Sequence, residues 1–310
     1  MEYYLVSPLR VIGRVGQTLT YHADTSLRAG QIVSVSVGKK TVPAVVLQKT
    51  TKPEFETKAI DSVIADTPLP TPLLKLHTWL SEYYVSHPVA VWQTMLPSGL
   101  LKKRRNKPTK RSQHLRERTH FVLNKPQKTA LDAMLSRPVG TTLLHGITGS
   151  GKTALYIELA KQTLAEGRSV IILVPEIALT SQIVADFTAH IEDVMVTHST
   201  MTEATRHTTW LEALHADKPR VVIGPRSALF TPLRDIGLIV IDESHEPSYK
   251  QEKSPRYSAL RAASVLASEH SARLILGSAT PAIADYYLAG QRDPSSIVRL
   301  DKLARTGAVL

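Results

Sequence analysis

The sequence contains no cysteine, so disulfide bonds and thiolate metal sites are excluded, which suits a reducing cytoplasmic compartment. No apolar run approaches the length of a membrane-spanning helix, and residues 1–6 lack the basic and apolar regions of a signal peptide. Acidic residues are scarce as well: 27 Asp and Glu stand against 38 Lys and Arg, a formal net charge of +11. The composition predicts a cytoplasmic protein with no membrane contact and a polyanionic partner such as nucleic acid.

The 310 residues divide into three stretches of different composition. Residues 1–101 alternate apolar and polar side chains in short runs, followed by an amphipathic helix pattern over residues 71–85, which predicts a small, mainly β domain. Residues 102–120 contain nine Lys and Arg, one acid and almost no apolar side chains. This stretch is interpreted as a basic linker, either a solvated tether or a phosphate-contacting arm. In residues 121–310, Val-, Ile- and Leu-rich runs alternate with helical segments, which is typical of a parallel sheet buried on both faces.

The predicted fold class is α/β, with a small mainly β amino-terminal domain before a P-loop NTPase lobe that has a parallel sheet and crossover helices. In the first domain, residues 31–37 alternate as a half-buried strand, and residues 91–101 predict a second short helix. In the lobe, predicted strands at residues 141–144, 238–241 and 273–276 precede three short motifs.

The first motif reads G-x-x-x-x-G-K-T, the signature of a phosphate-binding P-loop between a strand and a helix. Its glycines let backbone N–H groups face the phosphates, Lys152 is expected to reach the β- and γ-phosphates, and Thr153 offers a hydroxyl to Mg²⁺. The alternative is a glycine-rich turn that binds nothing. The predicted nucleotide-binding residues of the loop are Gly146, Thr148, Gly149, Ser150, Gly151, Lys152 and Thr153.

Two further motifs also follow apolar strands. Asp242 and Glu243 stand where open α/β sheets bind ligands. Asp242 is predicted to hold Mg²⁺ beside Thr153, and Glu243 to orient or deprotonate the attacking water. The alternative is an ordinary strand end with acidic residues. Residues 277–281, Gly-Ser-Ala-Thr-Pro, place small hydroxyl side chains where they can sense the γ-phosphate. The predicted catalytic residues are Lys152, Asp242 and Glu243.

In this order, the P-loop, the Asp-Glu-Ser-His of residues 242–245 and the Ser-Ala-Thr of residues 278–280 resemble the first motor lobe of superfamily 2 helicases. The sequences of four segments resemble those of the PriA family, which restarts replication at stalled forks. The segments are residues 174–180, 224–230, 248–251 and 256–257. The resemblance covers about residues 123–300; Ser244 departs from the Glu that the family usually has there.

This resemblance implies a RecA-like lobe and an ATP-dependent 3′–5′ DNA helicase that uses ATP and Mg²⁺. It also implies single-stranded and branched DNA as partners, together with other primosome proteins and the single-strand-binding protein. Gln127 would contact adenine, with a solvent-facing glutamine at a helix start as the alternative.

The resemblance further implies DNA contacts in the motor lobe. They are Thr180, Arg226, Ser227, Tyr249, Lys250, Arg256 and Tyr257. The alternatives are helix caps for Thr180 and Ser227, a surface ion pair for Arg226, and core packing for both tyrosines.

The amino-terminal stretch resembles the family's domain that captures the 3′ end of the nascent leading strand. Gly38 and Lys58 match pocket positions of that domain, whereas Leu19-Thr20-Tyr21 stands where the family has Phe-Asp-Tyr. The family's winged-helix domain has no counterpart here except the basic stretch at residues 102–119.

The chain stops shortly after its third motif, whereas the family continues with a second motor lobe that carries an arginine finger and with a cysteine-rich zinc element. We therefore expect the amino-terminal part of a longer protein, with weak nucleotide binding and poor hydrolysis on its own. Two other interpretations stay open: another P-loop motor, such as a restriction-type translocase or an RNA helicase, and a non-catalytic remnant that docks on forks or partner proteins. A small-molecule P-loop kinase explains neither residues 277–281 nor the charge of +11.

Overall fold

The computed structural model describes residues 1–10, 18–102, 122–176 and 182–304. Two sheets organise these ranges, a five-stranded sheet near the amino terminus and a seven-stranded sheet after residue 140. The predicted fold class, a mainly β part followed by a parallel α/β lobe, is confirmed. Across the described ranges, the structure contains no helix with both the length and the apolar character needed to cross a membrane.

Five strands form the first sheet: β1 (Glu2–Pro8), β2 (Leu19–Ala23), β3 (Ile32–Val37), β4 (Lys40–Thr50) and β5 (Lys58–Ala65). The sheet closes on itself in the order β1-β2-β5-β3-β4. All of its pairs are antiparallel except β2 with β5. Side chains from alternate positions, such as Tyr4, Val6, Val33 and Val35, fill its interior.

The first four residues of β3 are buried on both faces, so the prediction of a half-buried strand is wrong for them. Val33 and Val35 point into the closed sheet, but Ile32 belongs to a second core together with Leu73 and Trp92. Those two residues come from α1 (Thr71–Tyr83) and α2 (Pro88–Met95), which pack on the outer face. The alternation of apolar and polar side chains depends only on the local sequence. It therefore cannot show that helices distant in sequence bury the second face of a strand.

Helix α2 differs from the prediction at both ends. It begins at Pro88, which suits a first helical turn, and the ring Nδ1 of His87 accepts a hydrogen bond from the backbone N–H of Val89 at 3.3 Å. It ends at Met95 because Pro97 follows, and the residue before a proline disfavours helical backbone. The indole N–H of Trp92 donates to Ser7 Oγ at 3.1 Å and anchors the helix to β1.

The second sheet has the strand order β12-β6-β11-β10-β7-β9-β8, and every paired strand runs parallel to its neighbour. Its strands are β6 (Thr141–Gly146), β7 (Ser169–Leu173), β8 (Val194–Val196), β9 (Val221–Gly224), β10 (Ile236–Ile241), β11 (Arg273–Ser278) and β12 (Ile297–Leu300). The predicted strands at residues 141–144, 238–241 and 273–276 are confirmed. The edge strand β12 was not predicted.

Helices cover both faces of this sheet: α3 (Lys125–Ser136), α4 (Lys152–Ala165), α5 (Gln182–His190), α6 (Glu203–Leu214), α7 (Ala259–His270) and α8 (Ile283–Arg292). Alternate strand residues enter two different cores. Leu238 and Val240 pack on the side of α4, whereas Ile239 and Ile241 pack on the side of α7. Burial on both faces explains why the strands read as unbroken apolar runs.

The two sheets are joined by α1, which lies against α7. Tyr84 Oη accepts a hydrogen bond from the backbone N–H of Ser258 at 3.0 Å, and Lys75 forms an ion pair with Glu269 at 2.6 Å. The apolar core on the α7 side continues into the core around α1 and α2. The small sheet is therefore packed to the large one through α1 and α2.

His77 makes the stability of this junction depend on pH. The residue is 6% exposed, and its ring stacks on the ring of Trp92 with centroids 3.8 Å apart. Burial lowers the pKa of His77 to about 4. Because the unfolded chain then binds the proton more tightly, stability is complete above the unfolded pKa near 6.5 and is lost as the pH falls toward 4. We expect His77 to contribute about 2 kcal/mol to the stability lost between pH 7.5 and pH 5.

Urea unfolding of the wild type and of His77→Gln at both pH values measures this effect. The variant should lose about 2 kcal/mol less than the wild type over this interval. His198→Gln, which changes an exposed histidine, is the matched control and should keep the wild-type difference. Equal pH dependence in wild type and His77→Gln would contradict the assignment.

Candidate nucleotide site and nucleic-acid interface

The P-loop joins the end of β6 to the start of α4. Gly149 and Gly151 have φ angles of 78° and 81°, a left-handed backbone that favours glycine. A Cβ atom on Gly151 would lie 2.3 Å from Gln127 Nε2, and one on Gly146 would lie 2.8 Å from Ser150 Oγ. These glycines are therefore required by backbone conformation and by close packing, and the loop they form opens onto the first turn of α4.

Lys152, the first residue of α4, brings the first and second motifs together. Its Nζ donates to the carbonyl of Gly146 at 2.8 Å and lies 3.8 Å from Glu243 Oε1, and the residue is only 8% exposed. Asp242 and Glu243 follow directly after β10. The three predicted catalytic residues are thus brought together at the carboxyl edge of one sheet.

Asp242 is held by hydrogen bonds on its backbone and on its side chain. Its N–H donates to Leu173 O at 2.9 Å, and its carbonyl accepts from Tyr249 Oη at 2.6 Å. Tyr156 Oη donates to its Oδ1 at 2.9 Å. Burial and the charge of Glu243 raise the pKa of Asp242, while the bond from Tyr156 and the charge of Lys152 oppose that shift.

The second and third motifs are hydrogen-bonded to each other. The backbone N–H of Ser244 donates to Gly277 O at 2.9 Å, and His245 Nδ1 lies 2.8 Å from Ser278 Oγ. Ser278 is fully buried, and its Oγ also accepts from the N–H of Thr280 at 3.0 Å. A displacement of either motif therefore moves hydrogen-bonding partners in the other.

Sequence reasoning did not assign a role to Tyr156 or His245. Tyr156 follows Lys152 by one helical turn, so both side chains lie on one face of α4. That spacing, and the histidine three residues after Asp242, were the available signals. Neither signal identifies the partner atom, since the partners come from other strands.

The residues of the loop fit a magnesium-bound nucleotide. Ser150 Oγ is buried with no hydrogen-bond partner among the described residues, a free polar group at the phosphate-binding loop. Thr153 and Asp242 offer the oxygen ligands that Mg²⁺ prefers. Within the ranges that the structure describes, no group of three or more His, Cys, Asp or Glu could hold a metal.

Gln127 is 5% exposed, so the solvent-facing alternative is wrong. It belongs to a capping box at the start of α3: its Oε1 accepts from the N–H of Asn124, and its own N–H donates to Asn124 Oδ1, both at 3.0 Å. Its Nε2 donates to Ser150 O at 3.0 Å. Gln127 ties α3 to the P-loop, and its contact with adenine stays a prediction.

A polar cleft of about 340 Å³ lies between α2 and the carboxyl ends of β7 and β9. It is lined by Gln93, Thr94, Arg206, Arg226 and Ser227, among other residues. Arg226 is no surface ion pair, because its Nη1 donates to two backbone carbonyls, at 2.6 Å and 3.1 Å. Four of the predicted DNA contacts line this cleft, namely Arg226, Ser227, Tyr249 and Tyr257, while Thr180 lies outside the described residues.

Tyr249 and Tyr257 are buried, with exposures of 2% and 1%. Tyr249 donates to the backbone of Asp242, and Tyr257 packs on Phe230 with ring centres 5.2 Å apart. Burial raises the pKa of both hydroxyls. The core-packing alternative to a DNA contact is therefore the one observed for both tyrosines.

Lys250 and Arg256 are exposed. Lys250 Nζ lies 5.2 Å from the ring centre of Tyr84 and bonds to the backbone carbonyl of Arg256. Their DNA contacts stay predictions. The basic stretch at residues 102–120 lies outside the described ranges apart from Lys102, which forms an ion pair with Glu203 at 2.9 Å.

In the first sheet, the structure brings the predicted 3′-end residues near one another. Lys58 begins β5 and pairs with Tyr21 of β2. Tyr21 Oη donates to Ser36 O at 2.9 Å, two residues before Gly38. Gly38 has a φ angle of 59° and no atom within 4 Å of an added Cβ, so the turn is open around it.

Comparison with known proteins identifies two matching families. A family model described as DEAD/DEAH box helicase matches residues 124–287, and a second, described as 3'DNA-binding domain (3'BD), matches residues 8–97. The first match covers more than half of the chain and contains the three motifs at the carboxyl edge of the large sheet.

Among curated relatives, the chain is similar to replication restart proteins PriA. It is 33% identical over 293 residues to that of Helicobacter pylori (strain J99), 35% over 267 residues to that of Rickettsia felis, and 46% over 145 residues to that of Bacillus subtilis. The alignments cover 92%, 84% and 46% of this chain, but 44%, 40% and 18% of the relatives. The chain thus spans less than half of the length of these relatives.

Solved structures with similar coordinates include the helicase domain of Hef from Pyrococcus furiosus, at 17% identity and a TM-score of 0.42, covering 57% of this chain and 37% of that one. RecG bound to a three-way DNA junction is another, at 21% identity and a TM-score of 0.41, covering 61% of this chain and 25% of that one.

Replacing Gly151 tests the geometry of the loop. Gly151→Ala combines a left-handed residue with a Cβ contact of 2.3 Å to Gln127, whereas Gly167→Ala, the matched control, has a φ angle of 78° and open space around the added Cβ. We expect Gly167→Ala to destabilise the fold by about 1 kcal/mol and Gly151→Ala by about 1–3 kcal/mol more. Urea unfolding measures both changes, and equal losses would contradict the close packing of Gln127 on the loop.

Proposed function

The chain belongs to the DEAD/DEAH box helicase family, and we propose that it carries the 3′-end-binding domain and the ATP-binding lobe of a replication restart helicase. The proposed activity is 3′–5′ movement on single-stranded DNA at stalled or branched forks, coupled to ATP hydrolysis. Residues 1–101 would form the DNA-binding domain, residues 102–120 a basic linker, and residues 121–310 the motor lobe. The observation that carries the proposal is the approach of Lys152 to Glu243 at 3.8 Å beside Asp242.

Each residue of this set has a role that its position supports. Lys152 Nζ now bonds to the carbonyl of Gly146, and phosphate oxygens would compete for that ammonium group. Thr153 and Asp242 would hold Mg²⁺, which supplies positive charge to the phosphates when bound. Glu243 would orient the attacking water and accept its proton.

Lys152→Ala should weaken binding of a fluorescent ATP analogue by at least about 10-fold, because it removes a charge-assisted hydrogen bond to phosphate. Binding is measured by fluorescence anisotropy in the presence of Mg²⁺. Lys161→Ala is the matched control, since Lys161 lies on the same helix and pairs with Glu158 at 2.9 Å. Equal affinity in wild type and Lys152→Ala would exclude this nucleotide site.

We propose that the 310-residue chain by itself hydrolyses ATP slowly, as the resemblance to the helicase family implies. DNA-stimulated turnover by this chain, lost in Lys152→Ala, would contradict that expectation. Unchanged fork affinity with and without ATP would instead favour a non-catalytic fork-binding protein.

Recognition of a 3′ end is the second part of the proposal. Its support is the match to a 3′ DNA-binding domain and the pairing of exposed Lys58 with Tyr21 beside the open turn at Gly38. Thr20 offers a hydroxyl where the family has an acid, so it can still hydrogen-bond to a 3′-hydroxyl.

Lys58→Ala should reduce affinity for a fork with a 3′ end at the junction by about fivefold, the scale of one exposed ionic contact. A fork that lacks this 3′ end should lose less affinity. Lys52→Ala, which removes an exposed lysine from the loop after β4, is the control. Equal losses on both forks would exclude a 3′-end contact and leave only general attraction to phosphate.

A further inference from the structure

Tyr156 reaches the nucleotide site from within the core. It lies on α4, one turn after Lys152, and is completely buried. Its hydroxyl donates to Asp242 Oδ1 at 2.9 Å. A hydrogen bond to a buried carboxylate is stronger than one between neutral groups, so this contact strongly favours one orientation of the carboxylate.

The neighbouring strand β11 is shaped around this hydroxyl. A Cβ atom on Gly277 would lie 1.8 Å from Tyr156 Oη and 2.9 Å from its ring carbon Cζ. Because real Cβ atoms do not approach so closely, only glycine at position 277 leaves room for the hydroxyl in its observed place. Gly277 also accepts the N–H of Ser244, so the close approach sits between the second and third motifs.

The backbone of Asp242 is fixed independently of Tyr156. Its N–H donates to Leu173 O and its carbonyl accepts from Tyr249 Oη. The freedom that remains is rotation of the carboxylate, and Tyr156 acts on that group directly. Residues that orient a metal ligand through a hydrogen bond typically change metal affinity when they are removed.

We propose that Tyr156 is a positioning residue for Asp242, whose hydroxyl holds the carboxylate in the orientation that binds Mg²⁺ with the nucleotide, and that Gly277 is the space it requires. The inference rests on the proposed function, since Mg²⁺–nucleotide is the ligand that Asp242 would meet. It adds a residue of α4 and one of β11 to the magnesium site.

Tyr156→Phe tests the proposal because it removes the hydroxyl and keeps the ring. Binding of a fluorescent ATP analogue is measured against Mg²⁺ concentration and again in EDTA. The Mg²⁺ concentration for half-maximal enhancement should rise by about 10-fold, while affinity in EDTA stays at the wild-type value. Urea unfolding establishes that the variant is folded.

Tyr4→Phe is the matched control. Tyr4 of β1 is also completely buried, and its hydroxyl accepts from the N–H of Leu27 in the loop after β2, away from the nucleotide site. This variant should lower stability and leave the Mg²⁺ midpoint unchanged. A purely structural role for Tyr156 predicts the same pattern, so an unchanged midpoint in folded Tyr156→Phe overturns the proposal.

A double-mutant cycle tests the role of Gly277. Gly277→Ala should raise the Mg²⁺ midpoint in the wild-type background, because the added methyl group displaces the Tyr156 hydroxyl. In the Tyr156→Phe background the same change should have a smaller effect. Additive effects would overturn the link between the two residues. If nucleotide binding by the wild type does not depend on Mg²⁺, the proposed function is overturned as well. If the wild type depends on Mg²⁺ and Tyr156→Phe has the same Mg²⁺ midpoint, only this inference is overturned.

Discussion

The alignment of three parallel strands is the constraint on which the site depends. Strand β11 lies between β6 and β10, with Gly277 beside Leu144 and Leu276 beside Ile241. This places the P-loop and Asp242 about 10 Å apart across the sheet, two strand spacings. Lys152 and Glu243 close most of that gap from either side, to 3.8 Å. A one-residue slip of β11 would move Gly277 out of the gap and turn a side chain into it.

Buried polar groups follow from the same constraint. Asp242 emerges from an apolar strand, where an ionised carboxylate without partners is costly. Two tyrosines from different elements supply hydrogen bonds there: Tyr156 donates to the carboxylate of Asp242, and Tyr249 donates to its backbone carbonyl. The polar groups of the site therefore lie together at the carboxyl edge of the large sheet, where Lys152 and Glu243 are found.

Local patterns predicted the parts of the molecule that local chemistry determines. The glycines of the P-loop and the acids after β10 were readable because backbone angles and strand ends act within a few residues. Contacts between distant segments were not readable. No residue near Tyr156 in the sequence indicates that its hydroxyl binds Asp242. The sequence around Gln127 is that of an ordinary helix start and does not indicate its contact with the P-loop. The burial of Tyr257 depends on Phe230, which is distant in sequence. The second face of β3 escaped prediction for the same reason.

Tyr249 connects the cleft to the nucleotide site through one side chain. It lines the cleft that also contains Arg226, and its hydroxyl donates to the carbonyl of Asp242 at 2.6 Å. Arg226 in turn donates to the carbonyls of Ser248 and Lys250, the residues on either side of Tyr249. These hydrogen bonds connect Arg226 in the cleft to the backbone of Asp242 through the segment around Tyr249.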